Sequence, residues 1–309
     1  MKQKNIYQKL VFILFFTSFY IQTAHSQSNN PINPVPYNSG RLTTILVTES
    51  LVATTALICL HYLWYKKYPR SRFHFFNDNR EWMNMDKAGH ATTAYNISRI
   101  QYNMMQWSGI NNRRATWIGG LTALGFQTII EIFDGYSQNW GFSPGDMVAN
   151  ITGAALFIGQ QLTWNEQRFS LGFSYHRTIY SKYNPEVLGN NKWQRWIKDY
   201  NGQTYWLSLN PGSFLSSSNS FPKWLDISFG YGSEGMTGAT VNPERIGITP
   251  IPAFKRVRKY FLSVNANLQR IVNSNPLNDV LFSIPSIIKL PAPAIEFKKH
   301  TVKFHPVYF

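Results

Sequence analysis

Polar side chains recur at helical spacing in three segments of the first half of the chain. Asp86, Lys87 and His90 lie close together in the first segment, and residues three apart on a helix share a face. A second segment ends in Glu131 and Asp134, and a third follows shortly after it. We predict that the three segments meet in one polar site with these members: Asp86, Lys87, His90, Glu131, Asp134, Ser143, Asp146, Asn150 and Gly153.

The residue types of this set suit two chemistries. In the first, a divalent metal ion is the candidate cofactor, and its candidate ligands are His90, Glu131, Asp134 and Asp146. Oxygen-rich sites suit Mg²⁺, Ca²⁺ or Mn²⁺, and an imidazole ligand extends the range to Zn²⁺. In the second, His90 acts as a catalytic acid or base that a carboxylate orients. The remaining members are assigned to binding: Asp86, Lys87, Ser143, Asn150 and Gly153.

The same residues also suit a structural role. An acid in the first turn of a helix, as Asp86 or Asp146 would be, interacts favourably with the positive end of the helix. Lys87 can pair with a carboxylate, and Gly153 can allow two helices to approach closely. The spacing alone therefore leaves a functional site and a structural polar network as alternatives.

Four helices must position these residues. The first covers residues 41–65, and its twenty-residue core over 45–64 has one acid, Glu49, and one histidine, His61, so its length suits either a membrane span or a buried helix. The second, over about 86–107, carries too many amide side chains to face lipid. The third covers about 113–133. The fourth begins after Ser143, because serine favours the N-cap position and the following proline favours the first turn.

After about residue 168 the pattern changes from helical to strand-like. Short alternating runs are separated by Pro, Gly, Asn and Ser, which is typical of strands joined by turns. A short helix near 193–199, an apolar segment over 277–290 and a terminal hairpin or tail over 295–309 complete this half. The predicted fold class is α+β: a membrane-associated four-helix bundle over 41–168, followed by a β-rich, basic and aromatic region over 169–309.

The N-terminus has the three parts of a secretory signal peptide. Basic residues precede an apolar run, and Ala24-His25-Ser26 offers small residues before a cleavage point. We predict a signal peptide over 1–26, a flexible lead-in over 27–40, and export to the periplasm or outer membrane. The predicted cleavage point has no cysteine for a lipid anchor. The single cysteine, Cys59, lies in an apolar run, where a buried side chain is expected.

Composition and charge restrict the partner. Charged residues make up 15% and aromatic residues 16% of the chain, which excludes a disordered protein, and one cysteine excludes a disulfide-stapled scaffold. Residues 169–309 contain 16 basic and 7 acidic side chains, a net charge of +9, which suits an anionic partner. Since no nucleic-acid-binding motif is present, the expected partner is a membrane surface or an anionic envelope lipid or glycan, and not nucleic acid.

The ordered motifs resemble the YfiM-like family, described as predicted periplasmic lipoproteins of unknown function, and more distantly the VanZ-like family of small membrane proteins linked to glycopeptide resistance. Both families show Asp-Lys-x-x-His, a glutamate near the end of a later helix, and Ser-x-x-Asp followed by Asn-x-x-Gly. The resemblance covers about residues 80–160 and implies a shared site without naming its chemistry. The chain departs from the VanZ-like pattern at Asp134, where that family usually has glutamine. The matching positions are Asp86, Lys87, His90, Glu131, Ser143, Asp146, Asn150 and Gly153.

Two functions stay open at the level of the sequence. The first is an exported envelope protein that binds an anionic envelope component and carries a polar site between its helices. The second is an enzyme, metal-assisted or dependent on His90 as acid or base, acting on an envelope lipid or a phosphate-containing substrate. The sequence has no nucleophile-elbow motif and no phosphate-binding loop, so it does not decide between them.

Overall fold

The computed structural model describes residues 35–66, 68–215, 221–271 and 275–309. The predicted signal peptide and residues 27–34 of the lead-in lie outside these residues. The described chain confirms the predicted fold class, since a set of N-terminal helices is followed by a half built around an antiparallel sheet.

The helical half contains four long helices, close to the predicted bounds. They are α1 (Ser39–Leu60), α2 (Met85–Trp107), α3 (Asn112–Gly135) and α4 (Pro144–Trp164). Side-chain caps fix where they begin: Asn38 accepts from the backbone N–H of Arg41, and Ser143 accepts from that of Asp146. Such caps satisfy backbone donors that have no partner inside the helix.

Helices α2, α3 and α4 pack against one another as an antiparallel bundle. Glycines permit the close approach: a Cβ atom on Gly153 would collide with the carbonyl oxygen of Ala91, and one on Gly119 with that of Ser98. Gly153 therefore allows α4 to pack closely against α2, which is the structural role that the sequence analysis considered for it.

Helix α1 differs from the expected fourth member of the bundle because it contacts the other helices mainly at its beginning. Its buried residues are Leu42 and Ile45, whereas Leu51 is 67% exposed. Cys59 is exposed as well, so the expectation of a buried thiol was wrong: among the described residues no helix packs over this part of α1. Both α1 and α3 are long and apolar enough to cross a membrane, but only 11% of the most apolar stretch of α1 is buried, against 39% for α3.

The second half is a six-stranded antiparallel sheet in the order β1-β2-β3-β6-β7-β8. Its strands are β1 (Phe169–Tyr175), β2 (Gln203–Leu209), β3 (Leu225–Glu234), β6 (Val257–Ala266), β7 (Ala292–Lys298) and β8 (Thr301–Tyr308), and β4 (Arg245–Ile246) pairs with β5 (Thr249–Pro250) in a separate ribbon. Short helices connect them: α5 (Pro185–Leu188), α6 (Lys192–Lys198), α7 (Leu268–Ile271) and α8 (Pro276–Ser283). The terminal hairpin is present as β7 and β8, and Pro306 lies in the edge strand, where a missing N–H is tolerated.

The sheet curls on itself. Tyr308 of β8 lies 3.0 Å from Thr204 of β2 between their hydroxyl oxygens, although three strands separate β2 from β8 in the sheet. The enclosed face is lined by Trp206, Phe261 and small polar side chains, several of which are fully buried.

A left-handed turn over Glu81–Asn84 joins the two halves at the beginning of α2. Trp82, Met83 and Asn84 all have positive φ, at 45°, 54° and 66°, a conformation that costs a non-glycine residue about 1–2 kcal/mol. The sheet half holds the turn in place, because Trp82 N–H donates to the Ala239 carbonyl at 2.8 Å and the Tyr231 hydroxyl donates to the Met83 carbonyl. The direction of α2 therefore depends on the sheet.

Two glycines of α4 provide a matched test of the bundle packing. We expect Gly153→Ala to lower the free energy of unfolding by about 1–3 kcal/mol, because the new methyl group collides with backbone that cannot move aside. Gly159→Ala is the control: a Cβ there meets nothing within 4 Å, so the better helix propensity of alanine should raise stability by up to about 1 kcal/mol. Urea unfolding of the two variants measures both values, and equal effects would contradict the close α2–α4 contact.

Candidate functional site

Three helix ends bring the predicted site residues together. Helix α3 runs antiparallel to both α2 and α4. The beginning of α2, the end of α3 and the beginning of α4 therefore lie at the same end of the bundle. We call the resulting cluster the His90 centre; its members are Asp78, Asp86, Lys87, His90, Glu131, Asp146 and Asn150.

The ammonium group of Lys87 is enclosed by carboxylates. Its Nζ lies 2.5 Å from Asp78 Oδ1, 2.7 Å from Asp146 Oδ1 and 3.6 Å from Asp86 Oδ2. Ser143 links the same groups, since its hydroxyl donates to Asp78 Oδ1 at 2.7 Å and accepts from the Asp146 N–H at 3.0 Å. Ser143 is thus both the cap of α4 and part of the ion-pair network.

His90 has one ring nitrogen fixed and the other facing carboxylates. Its Nδ1 lies 3.1 Å from Asn150 Oδ1, an oxygen that also accepts from Gln127 Nε2 at 2.9 Å. When Nδ1 donates to this oxygen, the lone pair of the neutral ring is on Nε2. Nε2 lies 3.9 Å from Asp86 Oδ1 and 4.0 Å from Asp146 Oδ1. The nitrogen that could bind a metal or accept a proton therefore faces two carboxyl groups.

Glu131 is almost completely buried and only half satisfied. Its side chain is 1% exposed, and its Oε2 accepts from the Ser143 N–H at 3.0 Å. Within the described part of the chain its Oε1 has no hydrogen-bond donor and lies 3.7 Å from His90 Nδ1. The Asn150 Nδ2 group is also buried, and it has no hydrogen-bond acceptor among the described residues. Unsatisfied polar atoms at such depth cost stability and are rare unless the site serves a purpose.

Burial raises the pKa values of three acids of this region. It raises the pKa of Glu131 to about 8 and that of Asp134 to about 7. Burial, with the charge of Asp86 and the hydrogen bond to Asp78, raises the pKa of Asp146 to about 9. The pKa of Asp78 is lowered, because hydrogen bonds from Asp146, Lys87 and Ser143 outweigh the effect of its burial. Asp146 therefore keeps its proton to a higher pH than Asp78 does.

The geometry brings together two of the four predicted metal ligands, His90 and Asp146, and adds Asp86 to them. One ligand atom each from Asp86, His90 and Asp146 can be chosen so that all lie within 4.8 Å of one another. Asp86 belongs to this set, although the sequence assigned it to binding. Glu131 lies on the Nδ1 side of His90, and Asp134 accepts from the Tyr65 hydroxyl at 2.7 Å, so neither belongs to this three-residue set.

The prediction from the sequence did not include three residues of this region. Asp78 precedes the left-handed turn in an Asn-Asp-Asn stretch, a polar signal that could have been noticed. Tyr200, from the loop before β2, donates to Asp86 Oδ1 at 2.6 Å, and Tyr65 holds Asp134; nothing in their local sequence distinguishes them. Tyr200 also packs on Trp82 of the left-handed turn, so the sheet half closes one side of the centre. Asp86 and His90, at 24% and 17% side-chain exposure, form the open side.

The raised pKa of Glu131 predicts a pH-dependent stability. The folded state keeps this proton up to about pH 8, whereas the unfolded state loses it near pH 4.5. The free energy of unfolding should therefore fall as pH rises through this window, by up to about 1.4 kcal/mol per pH unit. Glu131→Gln should flatten the profile and be the more stable protein at pH 9, whereas Glu186→Gln, at an exposed position, should keep the wild-type profile. A Glu131→Gln profile as steep as wild type in urea titrations would show that this carboxyl is not the titrating group.

Residues 74–159 match the model of a family described as Predicted periplasmic lipoprotein (DUF2279). The matched segment contains all seven members of the His90 centre but neither Tyr65 nor Tyr200. Neither a curated protein nor a solved structure matches the chain. The finer resemblance to YfiM-like and VanZ-like proteins stays a prediction. Over this segment the chain is similar to predicted periplasmic lipoproteins, which supports an exported, periplasmic protein.

Proposed function

We propose that the His90 centre binds a divalent cation through Asp86, His90 and Asp146. One observation carries the proposal: the three ligand atoms converge within 4.8 Å on rigid helix ends, and Asn150 fixes the histidine so that Nε2 faces the two carboxylates. A hydrogen bond on the second ring nitrogen is the usual support of a metal-binding histidine.

The protonation of the centre favours a cation. At neutral pH Glu131 and Asp146 hold protons, because burial raises their pKa values to about 8 and about 9. A divalent cation bound at His90 Nε2 would replace the proton on Asp146, which is one of its proposed ligands. Metal binding to protonated ligands releases protons, so the exchange can be measured directly.

The enzymatic alternative uses the same centre. Three protein ligands leave coordination positions for water or for a substrate oxygen, the arrangement typical of catalytic metal sites. The cation would then act on an envelope lipid or another phosphate-containing substrate that reaches the open side at Asp86 and His90. Without the cation, His90 Nε2 can serve as a base toward the same side.

Calorimetric titration tests the cation site. We expect Mn²⁺ or Zn²⁺ to bind the wild-type protein at one site, with release of about one proton at pH 7, seen as a dependence of the binding heat on the buffer. His90→Ala and Asp146→Asn should weaken binding by about a hundredfold or more, since each removes a ligand.

The matched control is His305→Ala, which removes a histidine 2.8 Å from a glutamate in the sheet half and should bind the metal as wild type does. Stoichiometric binding that survives in His90→Ala, or absence of binding to the wild-type protein, would contradict the proposal.

We also propose that the chain binds an anionic component of the cell envelope through its second half. The net charge of +9 over 169–309 is accompanied by exposed aromatic side chains, among them Phe229, Tyr260 and Phe304. Basic and aromatic groups together suit a surface that is both charged and partly apolar, such as a lipid headgroup layer. An anionic glycan offers the charge without the apolar part.

Vesicle binding tests this second proposal. We expect the protein to sediment with vesicles of phosphatidylcholine and phosphatidylglycerol in equal parts and much less with phosphatidylcholine alone. Binding should weaken between 0.1 M and 1 M salt, as the screening length falls from about 10 Å to about 3 Å. Binding to dextran sulfate but not to vesicles would identify a glycan instead, and binding to none of these probes would contradict the proposal.

A further inference from the structure

The six-stranded sheet carries a small aromatic cluster and many small polar side chains on its enclosed face, and mainly apolar side chains on its outer face. In register across five strands, Leu207, Phe229, Leu262, Ile295 and Phe304 form one apolar row, and Tyr205, Tyr231, Tyr260, Phe297 and Val302 form the next. The alternate positions, which face inward, include Ser208, Ser228 and Ser263, all buried. A sheet that folds in water usually places these two kinds of residue the other way round.

The helices cover only one side of this outer face. The beginning of α2 lies against it at β2 and β3, where the Tyr205 hydroxyl approaches Gly89 and Tyr231 donates to Met83. Beyond this contact the apolar rows continue without cover from the described residues: Phe229 and Tyr260 are each 53% exposed, and Phe304 is 62% exposed. A contiguous apolar surface of this kind marks a binding face for a protein or a membrane.

A basic cleft lies at one end of the exposed rows. A cavity of about 420 Å³ is lined by Lys255, Lys298, Lys299 and His300, together with Glu234, Tyr180, Val257 and Thr301. The β7–β8 turn carries Lys299 directly beyond Phe297 and Val302. The ammonium group of Lys255 lies close to that of Lys299, and their repulsion lowers the pKa of Lys299. An anion between the two amines would remove that repulsion.

We propose that the exposed outer face of β3, β6, β7 and β8 lies on an anionic phospholipid bilayer, with the acyl region against the aromatic rows and a lipid phosphate in the basic cleft. This rests on the second proposed function and names its partner and its surface. The basic cleft favours an anionic lipid over a second copy of the chain, because a second copy would bring the same surplus of basic side chains to the interface and no anion.

The apolar part of the surface is tested with Phe229→Ser/Phe304→Ser. Both side chains point away from the enclosed core, so the circular dichroism spectrum and melting temperature should match those of the wild-type protein. Binding to vesicles of phosphatidylcholine and phosphatidylglycerol in equal parts should fall roughly tenfold or more, since two half-exposed rings no longer leave water. The control is Trp193→Ser on α6, which removes a side chain that is 80% exposed and should leave binding unchanged.

The charged part is tested with Lys255→Glu/Lys299→Glu. We expect this variant to bind anionic vesicles about tenfold or more weakly than the wild-type protein, and its binding to depend less on salt. Lys192→Glu, an exposed lysine on α6, is the matched control.

Each result separates this inference from the function on which it rests. If the wild-type protein binds neither kind of vesicle, the proposed membrane partner itself fails. If the wild-type protein binds and the folded Phe229→Ser/Phe304→Ser variant binds equally well, the sheet face is not the contact and the partner stands. A wild-type dimer in analytical ultracentrifugation that this variant converts to a monomer would identify a second copy as the occupant and overturn the lipid assignment.

Discussion

The helical half depends on the ion pairs between the Lys87 ammonium group and three aspartates. Asp78, Asp86 and Asp146 each face this ammonium group, and without it three carboxylates would lie close together without a counter-charge. The desolvation cost of such a group is several kcal/mol per ion. The protein offsets part of it by keeping protons on Glu131 and Asp146, whose pKa values burial raises. The centre is therefore held close to neutral by protons that a cation could replace, and this links its stability to its chemistry.

The same centre joins the two halves of the molecule. The left-handed turn before α2 is held by backbone and hydroxyl contacts from the sheet half, and Tyr200 binds Asp86 directly. Two further links lie along α2, since Tyr95 donates to the carbonyl of Phe169 and Asn96 donates to that of Leu171. Because α2 carries Asp86, Lys87 and His90, a disturbance of the sheet would reach the centre through the direction of this one helix. The sheet is a part of the site and not an appendage to the bundle.

The two faces of the sheet in the second half differ in their apolar surface. Its enclosed face is filled by serines, glycines and a few large aromatic residues such as Trp206, while its outer face carries the apolar rows. The buried amine of Lys289 lies over the Trp206 ring at 4.5 Å, which shows how polar the enclosed side is. With a surplus of basic residues at one end of the outer face, the half combines the two features that hold a protein to an anionic membrane: apolar area and positive charge.

The sequence by itself determined the elements and most members of the centre. Helical spacing, the Ser143-Pro144 helix start and the alternation after residue 168 are local signals, so α2, α3, α4 and the strands could be located from them. The antiparallel order of the helices follows from their short connections, and this is why His90, Glu131, Asp146 and Asn150 could be placed together.

Tertiary structure alone decided the rest, because the deciding contacts join residues far apart in the chain. Tyr200 reaches Asp86 across 114 residues, and no local pattern marks such a pair. The exposure of Cys59 follows from the absence of packing around that part of α1 among the described residues, which hydrophobicity cannot reveal. Which face of the sheet is enclosed was equally hidden, since alternation gives two faces and only the curl of the strands chooses between them.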